Sequence, residues 1–360
     1  MPDGEKQYIA LRRQFVMLLK RIQGHLKSYL LWYVAAAIAL GWGLGYLNGP
    51  FIKQHQPTLK TLITIVVFLM IYPMMVNVRL EALAKAVRNL KGLGLALGYN
   101  FIWAPLFGFA LSKLFLHDPQ VGFGFLMVMV VPCSSMSIGY TGLAGGSLEL
   151  ATVAVATSFV TAIAAIPFWL GILGGSFNVP VPMGILMNAI LTVLILPMVL
   201  GYLTRLALTR WLGEQGFKRL APLFPSITLV NLYLIIFLIF FMKAAVLVQK
   251  WQLMVWLIVP NLLFVTITLA LITWLDKRLG LNYSDHMGII FASTGKNNGT
   301  AIALATAAFS PLVAVPAATL PIFQIIFLIG YLKLESWVRQ YFGAPREAPV
   351  EAAIAPTEGR

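Results

Sequence analysis

The sequence predicts an all-α polytopic membrane protein, with ten transmembrane helices arranged as two inverted five-helix repeats. Three observations predict it. Apolar residues make up 59% of the 360-residue chain and charged residues only 11%, where a soluble domain carries about 25% charged residues; the mean hydropathy is +0.85. Ten segments have the apolar length, roughly 20 residues, that a helix needs to cross a hydrocarbon core. The fourth and ninth are interrupted by polar, helix-breaking runs at corresponding places in the two halves of the chain.

In chain order, residues 1–27 are a basic segment in which Tyr8, Leu11, Phe15, Leu18, Leu19 and Ile22 recur at helical spacing between Lys and Arg. This predicts an amphipathic helix on the inner leaflet, the alternative being a disordered basic arm. The first repeat, 28–173, holds spans at about 28–47, 59–78, 94–114, 121–145 and 150–173, to within a few residues. The second, 182–333, holds 182–204, 226–248, 252–275, 286–308 and 312–333 by the same reading. Residues 343–360 are rich in Ala, Pro and Glu, have little to bury, and predict a disordered cytoplasmic tail. No cleaved signal peptide is expected, because the first apolar run starts only near Tyr29, behind a long basic segment.

The cations set the orientation. Of the 26 Lys and Arg, twenty fall in the termini and in one set of alternate loops, including Arg79, Lys85, Arg205, Lys218 and Lys277. Five fall on the opposite side, namely Lys53, Lys60, Lys113, Lys243 and Lys250, and Lys296 lies inside a span. Positive charge marks the cytoplasmic side, so both termini are expected there, in the plasma (inner) membrane. The net charge of +14 then reads as basic loops facing anionic headgroups of the bilayer, not as a nucleic-acid surface.

The lone Cys133 and four scattered histidines exclude a disulfide framework and a multi-thiolate metal site. No acid–base or metal constellation faces across the spans, so an enzyme is not expected, and no cofactor is implied. No GxxxxGK[ST] run occurs, so any pumping energy comes from a gradient or a separate subunit.

The interruptions are Pro132-Cys133-Ser134-Ser135-Met136-Ser137-Ile138-Gly139 in the fourth span and Ser293-Thr294-Gly295-Lys296-Asn297-Asn298-Gly299-Thr300 in the ninth. Irregular backbone at membrane depth is tolerated only where protein or a watery cavity satisfies it, so both breaks are expected to line one cavity near the midplane. Ordinary kinks are the plainer alternative. The half-helix N-termini after each break offer free N–H groups suited to oxygen-rich or anionic ligands.

These two runs resemble the superfamily of bile acid:sodium symporters and arsenite permeases. The resemblance implies a core domain in which the broken fourth and ninth helices cross. It also implies a panel of the first, second, sixth and seventh spans that moves against that core. Pro132-Cys133-Ser134-Ser135-Met136, followed by Leu143-Ala144-Gly145-Gly146-Ser147, falls in register with the permeases, whose functional thiol lands on Cys133. Their ninth-span Glu lands on Gly299. Lys296-Asn297-Asn298-Gly299-Thr300-Ala301-Ile302-Ala303 is closer to the symporters, but their sodium-liganding Gln is Lys296 and their acidic ligand is Ala292. Ser137 keeps a polar symporter position; Ile138, Ala151 and Val155 replace others.

Lys296 is the most informative residue, because a charge at bilayer depth costs at least about 2.5–3.5 kcal/mol. Its ammonium could stand in for a sodium ion by donating to backbone carbonyls, bind an anionic substrate, or carry a coupled proton; snorkelling to an interface is the alternative. Cys133 is either a reactive thiol or a small apolar filler. Ser134, Ser135, Ser137, Thr294, Asn297 and Asn298 supply hydroxyl and amide partners for a substrate, and also caps for the broken helices. The sequence thus leads to a secondary transporter working by alternating access. Efflux of arsenite or a related metalloid oxyacid, as an antiporter, ranks just ahead of sodium-independent carriage of small organic anions.

Overall fold

The computed structural model describes residues 3–249 and 251–344; the predicted tail from 345 onward and Lys250 lie outside the described residues. The chain folds as helices throughout, and no strand occurs among the described residues. It is a multi-pass membrane protein. Among the described residues, eight helices are long and apolar enough to cross a bilayer, and large apolar side chains such as Trp32, Leu47 and Trp337 stand on the outer surface.

Helix α1, Asp3–Ser28, is amphipathic. It is followed by α2, Leu30–Leu47, and α3, Gln56–Val76. A tight ten-residue helical segment, Leu80–Asn89, leads to α4, Leu90–Phe115, whose first turn is capped by the Asn89 side chain accepting from the Gly92 N–H at 2.8 Å. The fourth predicted span is two short helices, α5 (Pro119–Val130) and α6 (Met136–Leu143). Helix α7, Leu148–Leu173, closes the first half. The second half runs through α8 (Met183–Leu220), α9 (Leu223–Gln249) and α10 (Gln252–Arg278). The ninth predicted span is again a pair, α11 (Tyr283–Thr294) and α12 (Asn298–Ala308), before α13 (Val315–Lys333) and the short α14 (Glu335–Phe342).

The helices sort into two groups. Helices α2, α3, α8 and α9 pack on one another, while α4, α7, α10 and α13 pack around the broken pairs α5–α6 and α11–α12. Close approach in the first group depends on Gly41 and Gly45, which put α2 directly against the backbone carbonyls of Phe237 and Phe241 in α9. A side chain at either position would strike backbone that cannot move aside. Small residues four apart are the usual means of bringing membrane helices this close.

Proline shapes α4 as well. Pro105 has no N–H to give the Phe101 carbonyl four residues back, so the turn Tyr99–Trp103 widens into a π turn. The Trp169 indole N–H donates to that carbonyl at 2.7 Å instead. The wide turn holds Asn100.

Candidate functional site

The two breaks meet. At the first, Pro132 cannot continue the α5 hydrogen-bond ladder, and the residue before a proline is driven out of the helical region; Val131 accordingly has φ −76° and ψ 160°. At the second, Gly295 and Asn297 leave helical geometry with ψ of 86° and 83°. The exposed backbone groups pair with each other. Ser134 N–H donates to the Gly295 carbonyl at 2.7 Å, and Asn297 N–H to the Pro132 carbonyl at 3.0 Å. Cys133 and Lys296 thereby face each other in a single antiparallel bridge. Gly295 is required by this approach: a Cβ there would lie 2.7 Å from Ser137 Oγ and 2.8 Å from the Phe291 carbonyl.

Lys296 is 1% exposed. Its ammonium donates to the Asn100 carbonyl at 3.0 Å, to Asn100 Oδ1 at 3.1 Å and to the Val131 carbonyl at 3.5 Å. Asn100 is fixed in turn by its amide donating to the carbonyls of Ala96 and Ala292. The lysine thus ties the second break to the end of α5 and to the π turn of α4. No ion pair to it is found among the described residues. All three of its donors are committed to oxygens of the chain, the arrangement that suits a fixed cation better than a direct substrate ligand.

The other predicted residues separate into two sets. Ser134, Ser135, Asn297 and Asn298 line a cavity of about 690 Å³, with Gln324 beside them. Asn297 Oδ1 caps α12 by accepting from Thr300 N–H at 3.0 Å, while Asn298 Oδ1 is buried without a partner. The remaining three lie behind the cavity wall. Ser137 Oγ donates to the Phe291 carbonyl at 2.7 Å and joins the two broken helices. Thr294 Oγ1 is buried and unpartnered. Cys133 is fully buried, its sulfur 3.0 Å from Ser158 Oγ and turned towards α7.

The cavity extends from the breaks to α1, whose Gln23 and Lys27 line its far end. Its lining carries five basic side chains, Lys27, Arg79, Arg205, Lys218 and Lys296, against the single carboxylate of Glu214 among the described residues. Two of the cations are partly neutralised: Arg205 pairs with Glu81 at 3.4 Å and Lys218 with Glu214 at 3.6 Å. Apolar side chains, including Met70, Met74, Leu229 and Ile325, form much of the rest. An anion with an apolar body matches this surface.

Lys27 lines this cavity, where the basic N-terminal segment is expected from the sequence to face lipid headgroups. The structure turns it inward because α1 docks on α9, where the Tyr233 hydroxyl donates to the Leu26 carbonyl at 2.7 Å. Its ammonium sits 5.4 Å from the Tyr140 ring centroid, and burial lowers its pKa from the ordinary lysine range. Because the shift is downward, the positive charge is lost on raising pH sooner than for a free lysine. Binding of a probe anion in this cavity is therefore expected to weaken at alkaline pH in the wild type before it does in Lys27→Arg, which stays charged. Superimposable pH–binding profiles of the two proteins would remove Lys27 from the cavity's chemistry.

Residues 64–250 match the sodium bile acid symporter family. Three relatives match over more of the chain. The arsenical-resistance protein Acr3 of Corynebacterium glutamicum is 23% identical over 87% of this chain and 89% of its own length. Acr3 of Alkaliphilus metalliredigens is 24% identical over 63% of this chain and 68% of its own. The putative symporter YfeH of Escherichia coli is 25% identical over 58% and 63%. With more than half of its residues matched and its two broken helices joined at a cavity, the chain belongs to the sodium bile acid symporter family of membrane transporters.

Proposed function

We propose that the chain is a secondary active transporter for a small anion, an oxyanion or an organic carboxylate, working by alternating access at the joined breaks. The observation that carries this reading is the cavity of about 690 Å³ that ends on both breaks and is lined by five cations against one carboxylate. In this reading the chain forms ten spans in two inverted repeats, 28–173 and 182–333, with the termini and the basic end of the cavity on the cytoplasmic side of the plasma membrane. Helix α1 lies at the inner leaflet with Lys27 at the cavity mouth. Helices α2, α3, α8 and α9 rock against the group holding the breaks, which is the motion that paired broken helices support in other carriers.

The residues divide the work. Ser134, Ser135, Asn297 and Asn298 offer hydroxyl and amide hydrogen bonds to the anion. Lys296 places its ammonium under the cavity floor in place of a coupling cation, so transport is independent of sodium. Ser137 and Thr294 belong to the scaffold behind them.

A second reading, efflux of arsenite, is favoured by the two relatives named as arsenical-resistance proteins and by the Pro132-Cys133 register. It requires the break to open towards the thiol, since Cys133 is closed off against Ser158. Counterflow in proteoliposomes separates the two. Saturable counterflow of organic anions, unchanged in Cys133→Ser, is the expected result. Arsenite counterflow that disappears in Cys133→Ser, with no organic anion carried, would replace the first reading by the second.

A further inference from the structure

A second cavity, of about 530 Å³, lies at the opposite ends of the same helices. Helix α3 passes from one to the other: Met70 lines the first cavity and Ile71 the second. Helix α12 does the same, with Asn298 and Gly299 at its start in the first cavity and Thr306 and Ala307 near its end in the second. Met70 and Ile71 are each 1% exposed, and a Cβ at Gly299 would lie 3.4 Å from Met70 sulfur, so the two helices close against each other there.

The second cavity has its own chemistry. Lys60 of α3 and Lys243 of α9 both line it, together with Thr64, Thr192, Thr306 and Ser310. No carboxylate lines it among the described residues, and neither lysine has an ion-pair partner among them. Two ammonium groups sharing one partly enclosed space repel each other, and an anion between them removes the repulsion while hydroxyls complete its hydrogen bonds. Lys243 also sits within a membrane helix, where an uncompensated charge is costly.

We propose that Lys60 and Lys243 form a second anion-binding site, a vestibule at the far end of the route, which takes a free oxyanion or carboxylate from the side opposite the basic loops. Its place on the route rests on the transport reading above; the binding does not, and it can be read without any flux. A lipid phosphate would present the same chemistry, so the test separates the two sources.

The full chain is reconstituted in phosphatidylcholine nanodiscs and treated with an amine-acetylating reagent. Modification rates at Lys60, Lys243 and the nearby Lys53 are followed by mass spectrometry, with sodium sulfate or with sodium chloride at equal ionic strength. Sulfate at about twice its dissociation constant should slow both cavity lysines roughly threefold by simple occupancy and leave Lys53 unchanged. In Lys243→Gln the protection of Lys60 should vanish. Equal rates with and without sulfate would overturn the proposal. So would protection that appears only when phosphatidylglycerol replaces phosphatidylcholine, since the site would then belong to a lipid. Transport that fails while protection persists would count against the transport reading and leave the site standing.

Discussion

Lys296→Met is expected to lose anion flux by roughly thirtyfold while the protein remains folded. A unit charge about 7 Å from a bound anion, at an effective dielectric near 20, contributes about 2 kcal/mol, which is the origin of that factor. The fold should survive because two effects oppose each other. Removing the ammonium leaves the carbonyls of Asn100 and Val131 and Asn100 Oδ1 without this donor, at about 1–3 kcal/mol for each group left unsatisfied. It also removes the several kcal/mol of desolvation that a buried ion carries. The backbone bonds between the breaks, Ser134 to Gly295 and Asn297 to Pro132, are untouched. The measurement is solute flux in proteoliposomes beside a thermal melt of the same preparation. Wild-type flux in Lys296→Met would end the fixed-cation role, and a collapse of the melting temperature would make the lysine a structural clamp.

Asp276→Ala should do the reverse, destabilising the protein by about 3–5 kcal/mol with little effect on solute affinity in the molecules that stay folded. Asp276 is fully buried in the last turn of α10. Its carboxylate accepts from the Tyr99 hydroxyl at 2.8 Å and contacts His286 Nδ1 at 2.8 Å. His286, also fully buried, continues through Nε2 to the Tyr331 hydroxyl at 2.8 Å, and Tyr331 meets Thr273 Oγ1 at 2.7 Å. One carboxylate thus ties α4, α10, α11 and α13 together, and deleting one partner of a buried polar pair costs about the amount given. Asp276→Asn, which keeps an acceptor for Tyr99, should lose less. The check is the thermal midpoint of the purified protein; a midpoint unchanged in Asp276→Ala would show the network to be dispensable. None of these groups lines the first cavity, which is why affinity should be spared.

The breaks were legible in the sequence because their causes are local. Pro132 removes a donor, and the polar run around Gly295 has no other reason to interrupt an apolar span. What those breaks face was not legible. Cys133 is in register at the first break, but a residue in non-helical backbone has no fixed face, and its sulfur points to Ser158. In the sequence Asp276 stands only as a residue at a span end. Its burial depends on α11 folding back on α10 through Gly280, whose φ of 71° makes the turn, so that His286 returns to it. The inward turn of Lys27 is hidden in the sequence for a similar reason, since only the docking of α1 on α9 produces it. Lys60 and Lys243 lie far apart in the chain, and no pattern in either segment announces that they share a space.

The closed position of Cys133 has a practical consequence. It is the chain's single cysteine, and it is wholly shielded. A thiol reagent applied to the folded protein therefore starts from a silent background, without any need to engineer the native thiol away. A cysteine introduced at Ser135 or at Thr306, one in each cavity, would be the only thiol in reach among the described residues. Reactivity from the two sides of a sealed vesicle would then report directly which compartment each chamber opens to.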